Sequence, residues 1–358
     1  MRLAYRYRIY PTKAQQTALE QWLRLCCELY NAGLQERREA YRLTGKSVSY
    51  GEQQNQLPEL KELRPELKDI HSQVLQDVLR RLDKAFAAFF RRVKAGEKPG
   101  YPRFRNRRRY DSFTYSQSGF ALKSGKLQLS KIGGVRIKLH RPLEGRLKTL
   151  TITRAATGKW FACFSVETEP TPRPESAAAI AIDCGLEKFA TFSDGAEIEN
   201  PRFFRSDEAQ LSKAQRKKQR PKAARIHERI TNRRRNFAHQ LSHYLVLTYG
   251  LIVFEKLNIK AMVSNHRLAK SIQDAAWNQL IQFTAYKAAK AGRKVLTVDP
   301  RYTSQRCSRC GIIAAKSLAE RIHHCACGLR LDRDHNAALN ILALGLQGVG
   351  SSVEAPSF

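Results

Sequence analysis

The sequence predicts a multidomain α+β protein. A small β-barrel is split by a helical insertion; an α/β domain follows, with helices on a central sheet and a cysteine-rich ribbon inserted near its end. Three observations carry this reading. A strand-like opening leads into a long stretch of helical periodicity and then into alternating strands. A Pro-rich segment marks a change of class. Four of the eight cysteines gather near the C-terminus. At 358 residues the chain also exceeds a typical single core.

The elements follow in order. "RLAYRYRIY" alternates side chains and reads as a strand, and Pro11-Thr12 starts a helix. The pattern then stays helical to about Val93, and Leu75, Leu79, Leu82, Phe86, Phe89 and Phe90 recur at helical spacing with arginines between them. That stripe reads first as core and second as a base-stacking platform. Next, "KAGEKPGYPRFRNRRRYDSFTY" interleaves Tyr101, Phe104, Tyr110 and Phe113 with Arg103, Arg105, Arg107, Arg108 and Arg109. Aromatics stack on bases while arginines neutralise phosphates, which suits single strands or RNA. The alternative is a solvated basic loop whose aromatics turn into the next domain. From Ser112 to Glu167 the alternation is that of strands. The barrel is therefore placed at 1–10 and 101–170 and the helical insertion at 11–100. "EPTPRPES" is the clearest boundary, with the linker at 171–177.

Beyond it, "AAAIAIDCGLEKFATFSDGAEIE" reads as a buried strand, a glycine turn, a second strand and an Asp-Gly turn. A basic helical region follows and contains Lys217, Lys218, Arg233 and Arg234, candidates for phosphate contact. The strand "LIVFE", another helical region, the strand "KVLTVD" and a helical pattern from about His335 complete an α/β layout. Its bounds are 178–304 and 329–345. The cysteine ribbon is placed at 305–328, and 346–358 reads as a disordered tail.

Charge narrows the partners. Against 32 Asp+Glu stand 64 Lys+Arg, a net charge of +32, and the isoelectric point is about 10.2. An excess of this size favours a polyanion, nucleic acid before a membrane surface. The N-terminus lacks a continuous apolar run, and "YLVLTYGLIVF" is too short and interrupted to span a bilayer. The expectation is a cytosolic protein with reduced cysteines and no membrane partner. Cys26, Cys27 and Cys163 then read as small core residues, and Cys184 has no obvious partner.

Three acids stand where chemistry is expected. Asp183 ends one very apolar strand, Glu255 ends another, and Asp334 precedes a helix. Acids gathered on one sheet rim repel each other, and Mg²⁺ or Mn²⁺ supplies the compensation. Such ions serve phosphodiester cleavage. Each acid has a plainer role open to it: Asp183 as a turn cap, Glu255 paired with Lys256 or Lys260, Asp334 as a helix N-cap. Alternation along "GLRLDRD" puts Asp332 and Asp334 on one side, so spacing alone does not choose between them.

"CSRC" and "CAC" offer Cys307, Cys310, Cys325 and Cys327, a thiolate set suited to a closed, structural Zn²⁺ site. The second pair is one residue shorter than CxxC, which leaves His323 or His324 open as a substitute ligand. Two redox-active pairs are the alternative.

Taken together, "AIDCGLEKFATFSDG", "LIVFEKLNIKAM", "VDPRYTSQRCSRCG", "CGLRLDRDHNAALNI" and the opening "YRYRIYPTKAQQ" resemble the signature blocks of TnpB. These are the OrfB-type, transposon-encoded proteins ancestral to type V CRISPR nucleases, and the likeness runs from about residue 3 to 345. The resemblance implies a wedge barrel split by a recognition lobe. It also implies an RNase H-like (RuvC) nuclease domain with Asp183, Glu255 and Asp334 catalytic, the last through a D-x-N-x-A match with Asn336 and Ala338. Cys307, Cys310, Cys325 and Cys327 match the zinc ligands. The implied activity is RNA-guided, Mg²⁺-dependent cleavage of double-stranded DNA beside a short target-adjacent motif. The guide RNA comes from the transposon end, and the protein is monomeric or weakly dimeric. An RNA-guided repressor that does not cut and a guide-free nuclease acting on DNA junctions or transposon ends are the rivals.

Overall fold

The computed structural model describes residues 1–317 and 320–350, the last two without their side chains. The chain divides into two compact units that meet in sequence between Thr168 and Glu169.

In the first unit, strand β1 (Arg2–Tyr10) is followed by helices α1 (Lys13–Thr44), α2 (Tyr50–Asn55), α3 (Leu57–Leu63) and α4 (Ser72–Lys94). Six strands complete it: β2 (Ser112–Tyr115), β3 (Phe120–Lys123), β4 (Lys126–Leu129), β5 (Gly133–Lys138), β6 (Arg146–Arg154) and β7 (Trp160–Glu167). β1 alternates as its sequence predicts, with Tyr5, Tyr7 and Ile9 buried and Arg6 and Arg8 on the other face. Thr12 starts α1 through a reciprocal cap: its hydroxyl accepts from Gln15 N (3.3 Å), and Gln15 Oε1 accepts from Thr12 N (3.0 Å). α4 buries Val74, Leu75, Val78, Leu79, Leu82 and Phe86, so most of its apolar stripe is core; Phe90 alone of that stripe is largely exposed.

The strands form an antiparallel sheet in the order β2-β6-β7-β1-β5-β4-β3. It is nearly closed rather than a complete hydrogen-bonded barrel. Between its two edges the contact is made by side chains: the Tyr115 and Phe120 rings lie 6.3 Å apart, and Tyr115 Oη donates to Ser130 O at 3.1 Å.

The second unit opens with the Pro-rich segment, which is fastened down: Thr171 N donates to Lys290 O (2.7 Å) and Arg173 N to Ala291 O (3.0 Å). Then come β8 (Ala179–Asp183), β9 (Lys188–Phe192), β10 (Glu197–Glu199), α5 (Phe203–Arg216), α6 (Arg220–Thr248) and β11 (Leu251–Glu255). The chain continues through α7 (Ile259–Val263), α8 (His266–Ala275), α9 (Trp277–Ala291), β12 (Lys294–Val298), β13 (Ile322–His324), β14 (Arg330–Asp332) and α10 (Arg333–Gly350). The sheet order is β10-β9-β8-β11-β12, with β8, β11 and β12 parallel and β9 and β10 antiparallel.

β8 and β11 are apolar on both faces because both faces are covered. Ile180, Ile182, Ile252 and Phe254 join a core with residues of α6 and α9, whereas Ala181, Leu251 and Val253 pack with Ile341 of α10. α10 corrects one boundary. The tail expected from 346 continues as helix to Gly350, with buried Gly345 lying against Val253. Apolar contact outweighs the weak helix propensity of its glycines. Residues 351–358, the rest of that tail, lie outside the described residues.

Candidate active site and cysteine cluster

The parallel register pairs Ile182 with Phe254. Asp183 and Glu255, each one residue further on, therefore end adjacent strands at the same edge. α10 starts at Arg333, which carries Asp334 into its first turn. Gly185 lets the turn after β8 pass close by. A Cβ there would stand 2.9 Å from Lys188 O and 4.0 Å from Asp334 Oδ2.

The charges respond to this proximity. Burial raises the Asp183 carboxyl well above its ordinary value, and the Glu255 and Asp334 charges raise it further against the opposing pull of Arg333. Burial also raises Glu255; the Thr303 hydroxyl draws it down, and Asp334 adds to the rise. Cys184 is held high by burial and by the same two strand-end acids. Such a cluster takes up a proton or a cation more readily than separated carboxylates would.

The plainer role considered for Asp334 falls to another residue. Helix α10 is capped by Asp332, whose Oδ1 accepts from Asp334 N (2.9 Å) and His335 N (3.1 Å). Asp334 is thereby left with Arg333 Nε at 3.2 Å. The expected alternation fails here because β14 ends at Asp332 and helical rotation begins at the next residue. Glu255, 8% exposed, accepts from Thr303 Oγ1 at 2.6 Å. Among the described residues it has no ion-pair partner, Lys256 and Lys260 included.

Among the described residues, Cys307, Cys310, Cys325 and Cys327 are the set whose candidate ligand atoms all lie within 4.8 Å of one another; the three acids do not form such a set. Cys307 and Cys327 sulfurs are 3.6 Å apart and those of Cys310 and Cys325 3.4 Å. Tetrahedral zinc with bonds of about 2.3 Å spaces its sulfurs by about 3.8 Å, so the thiols fit the ion. Neither histidine completes this set: His324 is exposed, and His323 is fully buried beside it with Nδ1 against the Lys316 ammonium. Burial pushes Cys307 up, but the Cys310 and Arg309 amides and then His323 pull it down to about 5.

The other predicted residues divide. Arg103, Arg105, Arg107, Arg108 and Arg109 are all exposed, as are Tyr101 and Phe104, whereas Tyr110 and Phe113 turn into the core. Tyr110 and Phe113 thus follow the alternative in which the loop's aromatics turn inward. Lys217 and Lys218 are exposed at the turn between α5 and α6. Arg233 is exposed, 3.5 Å from buried Asp207. Arg234 is committed internally: its Nε and Nη2 donate to Asp274 Oδ1 at 3.0 and 2.7 Å, and Asp274 also accepts from Phe204 N at the start of α5. Sequence reasoning missed Thr303 and the capping role of Asp332. It took Asn336 only as part of a pattern and missed Asn340, although asparagines four apart on an apolar helix were a signal.

Comparison with known proteins places the chain. Family models described as "Helix-turn-helix domain", "Probable transposase" and "Cas12f1-like, TNB domain" match residues 1–46, 163–266 and 277–341. The TnpB-like protein L79 of Acanthamoeba polyphaga mimivirus is 34% identical over 131 residues, 34% of this chain and 25% of its own. A protein of Streptomyces pristinaespiralis named "Putative RNA-guided DNA endonuclease" is 38% identical over 363 residues, covering 96% of this chain and 89% of its own. The chain belongs to the TnpB family. InsQ of Escherichia coli K12, which carries the same description, aligns with this TnpB chain at 31% identity over 96% of it and 92% of InsQ. In this TnpB protein the segment matching the helix-turn-helix model is a strand and one long helix.

Proposed function

We propose that this protein is an RNA-guided, metal-dependent DNA endonuclease that cuts DNA complementary to its guide beside a short target-adjacent motif. The observation that carries the proposal is the gathering of Asp183, Glu255 and Asp334 from β8, β11 and α10, with two of the three acids raised by burial and mutual repulsion. The names of the full-length relatives support it. The strand order of the second unit supports an RNase H-like, RuvC-type domain, and the nearly closed sheet of the first supports a wedge.

Asp183, Glu255 and Asp334 would hold Mg²⁺ or Mn²⁺, which when bound neutralises the cluster, activates a water and stabilises the leaving oxygen. The chain's own part is orientation. Thr303 donates a hydrogen bond to Glu255, the Asp332 cap fixes the first turn of α10, and Arg333 stands beside Asp334. Cys307, Cys310, Cys325 and Cys327 would hold Zn²⁺ with no ligand position left open, a structural role. Arg103, Arg105, Arg107, Arg108, Arg109, Lys217, Lys218 and Arg233 offer exposed charge to a guide RNA from the transposon end and to double-stranded DNA, while base pairing selects the sequence.

The test is cleavage by the protein purified with its RNA. Asp334→Ala is expected to abolish Mg²⁺-dependent cutting of matching DNA and to leave binding intact. Unchanged cutting by that variant refutes the site. Binding without cutting by the unaltered protein identifies a repressor instead, and cutting that survives RNase identifies a guide-free nuclease.

A further inference from the structure

Between β12 and the first cysteine pair, residues 299–306 form a loop held by two asparagines of α10. Asn340 Nδ2 donates to Thr303 O at 2.8 Å and to Arg306 O at 2.7 Å. One turn earlier, fully buried Asn336 donates from Nδ2 to Arg306 O at 2.8 Å, and its Oδ1 accepts from Ser308 N at 3.0 Å. Positions four apart share a helix face, so both amides address the same loop.

That loop carries strain at one point. Tyr302 has φ +65°, left-handed backbone that costs a non-glycine residue on the order of 1 kcal/mol or more. Such a conformation persists where the surroundings over-determine it, and the next residue is Thr303, whose carbonyl Asn340 holds. The Thr303 hydroxyl has two acceptors, Pro300 O at 3.0 Å and Glu255 Oε1 at 2.6 Å. The contact to the carboxylate is the shorter and has the length of a charge-assisted bond.

We propose that Thr303, seated by Asn336 and Asn340, is a positioning residue that aims the Glu255 carboxylate for divalent-cation binding. The proposal rests on the metal-dependent reading of the acid cluster. A loop that needed only to be packed could present any buried side chain here. This one presents a hydroxyl to a carboxylate that has no ion pair among the described residues. Helix α10 then does two things at once: it brings Asp334 to the cluster, and it fixes the loop that directs Glu255.

The experiment titrates Mn²⁺ into the full-length, zinc-loaded chain freed of nucleic acid, with free Mn²⁺ read by electron paramagnetic resonance. Glu255→Gln is expected to lose the tight site. Thr303→Val is expected to weaken it about 10-fold or more, as for other partners that orient metal ligands. Thr303→Ser, which keeps the hydroxyl, should stay within about twofold on the same reasoning. In the guide-loaded protein, Thr303→Val should need proportionately more Mg²⁺ for half-maximal cleavage and recover at saturation, a shift that loop packing alone would not give. Wild-type Mn²⁺ affinity in Thr303→Val, with Glu255→Gln impaired, overturns the positioning role and leaves the cluster reading intact. Wild-type affinity in Glu255→Gln as well sinks the cluster reading itself. Should Thr303→Val fail to fold, Asn340→Ala decides, since it keeps both hydroxyl and carboxylate but removes the seat of the loop: weakened Mn²⁺ binding supports the role, and unchanged binding overturns it.

Discussion

Replacing Gly345 by alanine perturbs the seat of α10 on the sheet. A Cβ at that position would stand 2.8 Å from Val253 Cγ1 and closer still to Cγ2, where an ordinary carbon contact is about 3.5–4 Å. Val253 is fully buried and β-branched, so it has little freedom to turn away. Helix and strand must then separate by roughly 1 Å. Overpacking of this kind costs about 1–3 kcal/mol, partly offset by the roughly 1 kcal/mol by which alanine is the better helix former. The net loss is up to about 2 kcal/mol, a fall of up to roughly 8 °C in the melting temperature of a domain this size. The same displacement reaches Asp334, about 16 Å back along a stiff helix. Misplacement by about 1 Å can cost a reaction 100-fold, so single-turnover cleavage should slow by at least about 10-fold. Calorimetry and a cleavage time course read both effects. Adding Val253→Ala removes the clashing methyls and should return part of the lost stability and rate, a coupling expected only of residues in contact. A Gly345→Ala protein that melts and cuts like the parent refutes the tight seat.

Two further predictions concern charge. Asp183→Asn should abolish cleavage yet raise the melting temperature of the metal-free chain, because it removes a charge that burial and its neighbours disfavour. The sign follows from the raised carboxyl: stability falls as pH rises from the ordinary value near 3.9 through the higher folded one, so acidification from neutral pH stabilises the parent. Melts in a chelating buffer across that range should show a flatter profile for Asp183→Asn, and identical slopes would count against the shared-charge account. Arg234→Ala should destabilise by about 3–5 kcal/mol, since it strands buried Asp274 without its ion pair. Lys217→Ala and Lys218→Ala should each lower the salt dependence of RNA binding by about one counterion with no change in melting. Equal behaviour of the three variants in melts and salt titrations would erase the distinction between the internal and exposed cations.

How much of this was legible in the sequence depended on whether a single short pattern held the information. Strand β11 is four apolar residues followed by an acid, and that run gave away both its burial and the place of Glu255. The cysteine pairs were equally plain, because ligand spacing is a local property. Asp332 and Asp334 were not separable by alternation, since the chain changes from strand to helix between them and the period changes with it. Arg234 looked like its neighbour Arg233 because a run of arginines does not say which one meets a buried aspartate forty residues away. Thr303 was invisible for the same reason: its partner arrives from a different strand, and the asparagines that seat it come from the last helix.

The way the acids arrive has a consequence for how such a chain can vary. Each is delivered by the end of an element whose place is fixed by strand register or by packing of a helix against the sheet. None depends on the length of the chain between them. Added residues at the hairpin around Gly195, at the α5–α6 turn or at the turn after the first cysteine pair would leave the strand ends where they are, because closing a longer surface loop costs little. A shortened or lengthened β8, β11 or first turn of α10 would not be forgiven. Descendants of this architecture are thus free to acquire new surface domains at those turns while the carboxylate edge stays constant.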